Sequence, residues 1–163
     1  MADIKKVLVA VAFSNYTQGI FEHAAGLVTQ LGAEMVVASI INERDVSAVR
    51  RVVDMGYEVD GEHYVGDIKK ERRDILDRLI QDCGLDAASV KAIFRVGNPV
   101  DELLKIIDGE DIDMVVMGIK GRTDLEHVFV GSVAEKLFRR SPVTVVSYRN
   151  PALAERLRKR IPN

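Results

Sequence analysis

Short apolar runs and amphipathic helical stripes take turns along this chain, and that alternation constrains the fold more than any other feature. The runs cover residues 7–12, 35–41, 90–96, 113–117 and 143–147. Residues 7–12 are continuously apolar, as expected of a strand buried on both faces. Between the runs the period changes from two to about 3.6. Ile20, Ala24, Leu27 and Leu31 recur at helical spacing, with Phe21, Ala25 and Val28 beside them. The same holds for Ile68, Ile75, Leu76, Leu79, Ile80 and Cys83, and then for Val100, Leu103, Leu104 and Ile107. Val133, Leu137 and Phe138 form a shorter stripe, and Leu153, Leu157 and Ile161 a last one. Strand and helix in strict succession predict a parallel sheet with helices on both faces. Right-handed crossovers leave few topologies for it. The expected class is α/β, an open doubly wound five-stranded sheet.

Local punctuation supports these boundaries. Ser14 or Asn15 is placed to cap the first helix, and Gly32 to end it. Asn98-Pro99 and Asn150-Pro151 each pair a capping side chain with a proline at the first helical position. Ser141-Pro142 closes the helix before the fifth strand. Residues 90–96 alternate, with Val90, Ala92, Phe94 and Val96 on one face, which fits an edge strand. Residues 42–66 are long for a strand-to-helix connection and are expected to form a mobile excursion with a short helix near 46–55. The helix over 67–83 carries five basic and five acidic residues, interspersed, and reads as a solvated face.

With 163 residues the chain builds one real core and not two comfortable ones. One domain is expected over residues 1–150, followed by a basic helical tail over 151–163. A net charge of −2 provides no general field for nucleic acid or membrane. The single cysteine, Cys83, excludes an intramolecular disulfide framework and lies in an apolar stripe as a small hydrophobe. The apolar run at 7–13 is short for a signal peptide and no A-x-A-like site follows it. No stretch approaches the length of a membrane span. A cytoplasmic protein is expected. His23, His63 and His127 show no metal-ligand spacing, and neither a G-x-S-x-G elbow nor a Walker lysine motif is present.

The chemistry concentrates at residues 113–133, DMVVMGIKGRTDLEHVFVGSV. An apolar strand ends at Met117, glycines follow at Gly118 and Gly121, and a helix starts near Gly131-Ser132. Glycines let a backbone approach phosphate closely, and the unpaired amides of a first helical turn attract the anion. In open sheets of this class ligands lie beyond the carboxyl ends of the strands. The loops after the first, second and fourth strands are therefore the expected site. Lys120, Arg122 and His127 lie in or beside the loop, where they either neutralise phosphate or stand in solvent; Arg122 is the better phosphate candidate. Asp124 and Glu126 either hold a metal or are solvated.

The Gly-x2-Gly-x9-Gly-Ser motif after a strand ending Val-Met-Gly resembles the universal stress protein family. So do the Asn-Pro helix start after the third strand and the segment IINERD over residues 40–45. The resemblance covers most of residues 4–148. It implies a sheet ordered 3-2-1-4-5, a homodimer and, in the nucleotide-binding branch, a site for ATP or a related AMP or ADP. Carried over residue by residue, Ile40 contacts adenine through its backbone. Met117 and Gly118 line the ribose, and Gly121 permits close approach of the phosphates. Gly131, Ser132 and Val133 bind phosphate through their amides, with Mg²⁺ or Mn²⁺ bridging phosphate oxygens. The chain departs from the family at the end of the first strand, where the family usually has an aspartate and this chain has Ala12, with Ala10 in place of a common proline. One lost charge-assisted contact is worth about 1.5–3 kcal/mol.

The resemblance implies a stress or metabolic-state regulator in which nucleotide orders the loop over 118–130 and the excursion over 42–66. It is expected to pair through the edge strand at 143–147 and to act on an unidentified protein partner. No catalytic residue stands out, so slow ATP hydrolysis is the most that is expected. Two alternatives stay open. One is a dimeric interaction module of the same fold that has lost its nucleotide; the other is a nucleotidyl-transferase-type enzyme, against which the lack of an early His-x-Gly-His element counts.

Overall fold

The computed structural model describes residues 3–58, 60–61, 63–119 and 130–162. The strands are β1 (Lys6–Ala10), β2 (Glu34–Asn42), β3 (Val90–Gly97), β4 (Met114–Gly118) and β5 (Thr144–Tyr148). The helices are α1 (Thr17–Leu31), α2 (Glu43–Asp54), α3 (Tyr64–Asp82), α4 (Pro99–Gly109), α5 (Ser132–Arg140) and α6 (Pro151–Arg158). All four pairings are parallel and the order is β3-β2-β1-β4-β5. This is the doubly wound α/β sheet that the alternation predicts.

Two apolar layers cover the sheet. On one face Val7, Val9, Met35, Val37 and Val116 pack against Phe21, Ala24 and Val28 of α1 and Leu76 and Ile80 of α3. On the other, Leu8, Val36, Ala38, Val115 and Met117 meet Leu103, Ile106 and Ile107 of α4 and Ala134 and Leu137 of α5. Val7, Leu8 and Val9 are all fully buried. That is why the first run is apolar without interruption.

The caps follow the sequence in most places. Asn98 accepts from the amides of Val100 and Asp101, and Asn150 from that of Leu153. Gly32 ends α1 in the left-handed region at φ 64° and donates its N–H to the Val28 carbonyl. That conformation is cheap only for glycine.

Several elements differ from the sequence reading. β1 ends at Ala10 rather than continuing to residue 12. The backbone turns sharply there, with Phe13 at φ 52°. Neither Ser14 nor Asn15 is the N-cap of α1; Tyr16 takes that position without a side-chain cap, and Thr17 Oγ1 accepts instead from the Ser14 amide. The excursion after β2 is largely helical. Asn42 caps α2 directly, accepting from the Arg44 amide, and α3 begins at Tyr64. Leu31, Phe138 and Ile161 lie in solvent rather than in their stripes. Ile106, off the expected stripe of α4, is fully buried, whereas Leu104 is only partly covered. Cys83 is half-buried against the α1–α3 layer, and burial, then Glu22 and Asp82, push its thiol pKa up.

Candidate functional site

A cleft of about 300 Å³ opens over the carboxyl ends of the central strands. Four helices present their N-terminal ends to it, through Ser14 ahead of α1, Asn42 at α2, Pro99 at α4 and Ser132 at α5. Parallel topology requires this, because each helix starts where a strand has just ended. The positive ends of their dipoles converge on one space.

The floor is made by staggered strands. β1 and β2 pair up to Ala10 and Ala38, and the Val11 amide donates to the Ala38 carbonyl at 3.0 Å. β2 runs on to Asn42, held from the other side by β3, with Ile40 opposite Arg95 and Asn42 opposite Gly97. Main-chain groups alternate sides along a strand. Ala38 faces β1, so the N–H and C=O of Ile40 face the same way, past the point where β1 has stopped. One donor and one acceptor therefore stand side by side at the cleft.

The opposite wall is the start of α5. Gly131 occupies the N-cap at φ −67° and ψ 151°. Its amide donates to the Ile119 carbonyl at 2.6 Å, and its own carbonyl accepts from Glu135 at 2.9 Å. The Gly131 amide is thus committed to a backbone carbonyl, which corrects its expected role as a phosphate donor. The amides of Ser132, Val133 and Ala134 precede the first intrahelical bond and make up the donor set of this turn. Ser132 is exposed at the mouth, and Val133 is half-buried.

The expected site residues within the described chain come together. Ala10, Ala12, Ile40, Met117, Gly118, Gly131, Ser132 and Val133 all line the cleft. Gly121 and Arg122, with Lys120, Asp124, Glu126 and His127, lie outside the described residues. Asp45 is the acid among the described lining residues, and it is exposed. No group of three or more metal-binding side chains occurs among the described residues.

Arg72 also lines the cleft and escaped the sequence reading. Only 3% of it is exposed. Its Nη1 donates to the buried Ser39 Oγ at 2.7 Å, and its guanidinium lies 5.6 Å from the centre of the Phe13 ring. A signal was available: Arg72 follows Ile68 and precedes Leu76 by four residues, which places it inside the apolar stripe of α3. Its inclusion in an evenly mixed run of charges concealed it.

A smaller cleft of about 150 Å³ lies between the start of α1, the end of β5 and α6, lined by Tyr16, Ile20, Tyr148, Leu153 and Arg156 among others. Tyr148 packs on His23 with ring centres 5.2 Å apart. Among the described residues, no helix is long and apolar enough to cross a membrane.

The model of the universal stress protein family matches residues 3–149. The universal stress protein MJ0577 of Methanocaldococcus jannaschii is 28% identical over 160 residues, which cover 90% of this chain and 96% of that protein. Its solved structure superposes with a TM-score of 0.71 at 27% identity, covering 91% of this chain and 99% of that one. UspA of Lactobacillus plantarum shares the fold at a TM-score of 0.74 and 18% identity, over 91% of this chain and all of that one. So does a universal stress protein crystallised in complex with cAMP, at a TM-score of 0.61 and 23% identity, over 91% of this chain and 99% of that one. The sheet order, the cleft at its carboxyl edge and a family match over residues 3–149 converge on one conclusion: this protein belongs to the universal stress protein family.

Proposed function

We propose that this protein binds an adenine nucleotide, ATP or a close relative, in the cleft above β1, β2 and β4, and uses occupancy to regulate a response to stress or metabolic state. The observation that carries this reading is the pairing of two main-chain features across one cleft. At one side Ile40 offers adjacent N–H and C=O groups; adenine presents the complement, a ring-nitrogen acceptor beside an exocyclic amine donor. At the other, the first turn of α5 offers amides at the positive end of a helix dipole, which suits phosphate. The cAMP complex of the related protein fits the same ligand class. Met117 and Gly118 would flank the ribose, with Ala10 and Ala12 closing the β1 side. Gly121 and Arg122 complete the phosphate loop in this proposal. Mg²⁺ or Mn²⁺ would be held chiefly by phosphate oxygens, since the described lining offers only the Asp45 carboxylate.

The described residues pair β5 with β4 alone. We place a homodimer contact on its other edge, where main-chain groups remain for a second copy. No catalytic role is assigned, and the partner that reads occupancy is a protein.

Calorimetry with ATP and Mg²⁺ tests the central reading. Saturable heat with one nucleotide per chain supports it. No heat and no thermal shift at millimolar nucleotide would favour a second reading, an interaction module of the same fold without ligand. Ala12 favours that reading, because its methyl group offers no acceptor just beyond β1, where the family usually has an aspartate.

A further inference from the structure

The strand order reverses between β1 and β4, with β2 and β3 on one side of that point and β5 on the other. Open sheets of this class bind dinucleotides across the crevice at such a reversal, one nucleotide to each half. The larger cleft, with Ile40 near the end of β2, serves the first half. The smaller cleft of about 150 Å³ stands over the second half, at the ends of β4 and β5. Ile20 and Gly118 line both, so the two clefts are direct neighbours.

The smaller cleft has the lining of a ring site. Tyr16, Ile20, Ile119, Tyr148 and Leu153 make it aromatic and apolar, and among the described residues no carboxylate lines it. Tyr148 is held by α1. A Cβ placed on Gly19 would stand 2.9 Å from its Oη, and its ring centre lies 5.2 Å from that of His23. An aromatic side chain fixed in this way needs little further ordering when a ring packs against it. The cation of the lining is Arg156, which is exposed and makes no ion pair among the described residues. It belongs to α6, which starts at Pro151, beyond residue 149 where the family match ends. The family pattern therefore does not account for this wall.

We propose that the smaller cleft is a second nucleoside subsite, and that the preferred ligand is a dinucleotide in which a phosphate chain joins adenosine to a second nucleoside. This rests on the nucleotide reading above and extends it. The adenosine half keeps its place at Ile40. The phosphate chain passes the α5 turn and Gly118, and the second base packs against Tyr16 and Tyr148, with Arg156 beside the phosphates. Every base has a face that stacks on an aromatic side chain. This subsite therefore selects the length of the ligand more than the identity of its second base.

The test is calorimetry on the full chain with ATP and with diadenosine diphosphate, triphosphate and tetraphosphate. The wild-type protein binds one of the dinucleotides about tenfold or more tighter than ATP, as one stacked base provides, at one ligand per chain. The chain length that binds best gives the span between the subsites. Ala152→Trp fills the smaller cleft from the exposed first turn of α6. It removes the dinucleotide advantage and leaves ATP affinity within about threefold. Arg156→Gln reduces the advantage. Dinucleotides that bind no tighter than ATP overturn the inference but leave the nucleotide reading standing. So does an advantage that survives in both variants, or one dinucleotide per two chains, which places the second base in another copy. Binding of none of the probes defeats both readings. If Ala152→Trp does not fold by circular dichroism, the wild-type ratio and Arg156→Gln decide.

Discussion

Replacing Ser132 by proline deletes one main-chain donor from the cleft at almost no structural cost. Ser132 is the first residue of α5, and its amide precedes the first bond of the helix. Proline is favoured at that position, since the lost N–H has no helical partner there. The residue before a proline must be extended, and Gly131 already is, at φ −67° and ψ 151°. The fold is therefore expected to keep its stability or to gain about 0.4–1 kcal/mol through a stiffer unfolded chain. Ligand binding is another matter. An amide donating to a phosphate is a charge-assisted bond worth about 1.5–3 kcal/mol. Losing it lowers ATP affinity about tenfold to a hundredfold. Ser132→Ala is the matched control, because it removes the hydroxyl and keeps the amide. The assay is calorimetric titration of both variants with ATP and Mg²⁺, alongside thermal melts. Proline weakening binding well beyond alanine, at unchanged or raised melting temperature, is the expected pattern. Identical affinities for wild type, Ser132→Ala and Ser132→Pro would refute the idea that this turn holds the phosphate.

Other consequences are simpler to check. Asn98→Ala removes a side-chain oxygen that accepts from two amides at 3.1 and 3.3 Å, and should cost about 0.5–2 kcal/mol in denaturant melts. Hydrogen bonds from the Lys5 and Lys6 amides hold the Asp113 carboxyl below its ordinary range. A depressed folded pKa contributes stability that is complete above the unfolded value and disappears as pH falls through the folded one. Asp113→Asn is therefore expected to be less stable than wild type at neutral pH, with the gap closing in strong acid. A gap that widens on acidification would contradict this. Light scattering at tens of micromolar should report a dimer, and a monomer would rule out the β5 contact.

Much of the architecture could be read from the chain, because burial on both faces of a parallel sheet forces unbroken apolar runs, and proline and asparagine mark helix starts through local chemistry. Val7 to Val9 and Asn98-Pro99 are the clearest cases. Failures came where tertiary context outweighed local pattern. Asn42 was read as the start of an irregular excursion, yet it caps α2 because β2 ends there and hands its last residue to the helix. Phe138 has the right spacing to be buried but faces solvent, since α5 is short and Ala134 and Leu137 already cover the sheet. Of the residues lining the cleft, Gly118, Gly131 and Ser132 are legible because glycine and serine at a helix start carry their own mechanism, whereas Ala10, Ala12, Ile40, Met117 and Val133 follow from the family resemblance. The use of the Gly131 amide by Ile119 was not visible, because it depends on how the two ends of the loop meet. Arg72 lies four residues from both Ile68 and Leu76 in the α3 stripe, but the evenly mixed charges around it conceal that position in the sequence.

The most direct test of the account is a two-dimensional amide NMR titration of the isotope-labelled chain with ATP and Mg²⁺. The account predicts saturable shifts concentrated at Ile40 and at Ser132 to Ala134, with the amide of Gly131 less affected because Ile119 already holds it. Shifts that bypass both Ile40 and the start of α5, or a spectrum unchanged at millimolar nucleotide, would contradict it.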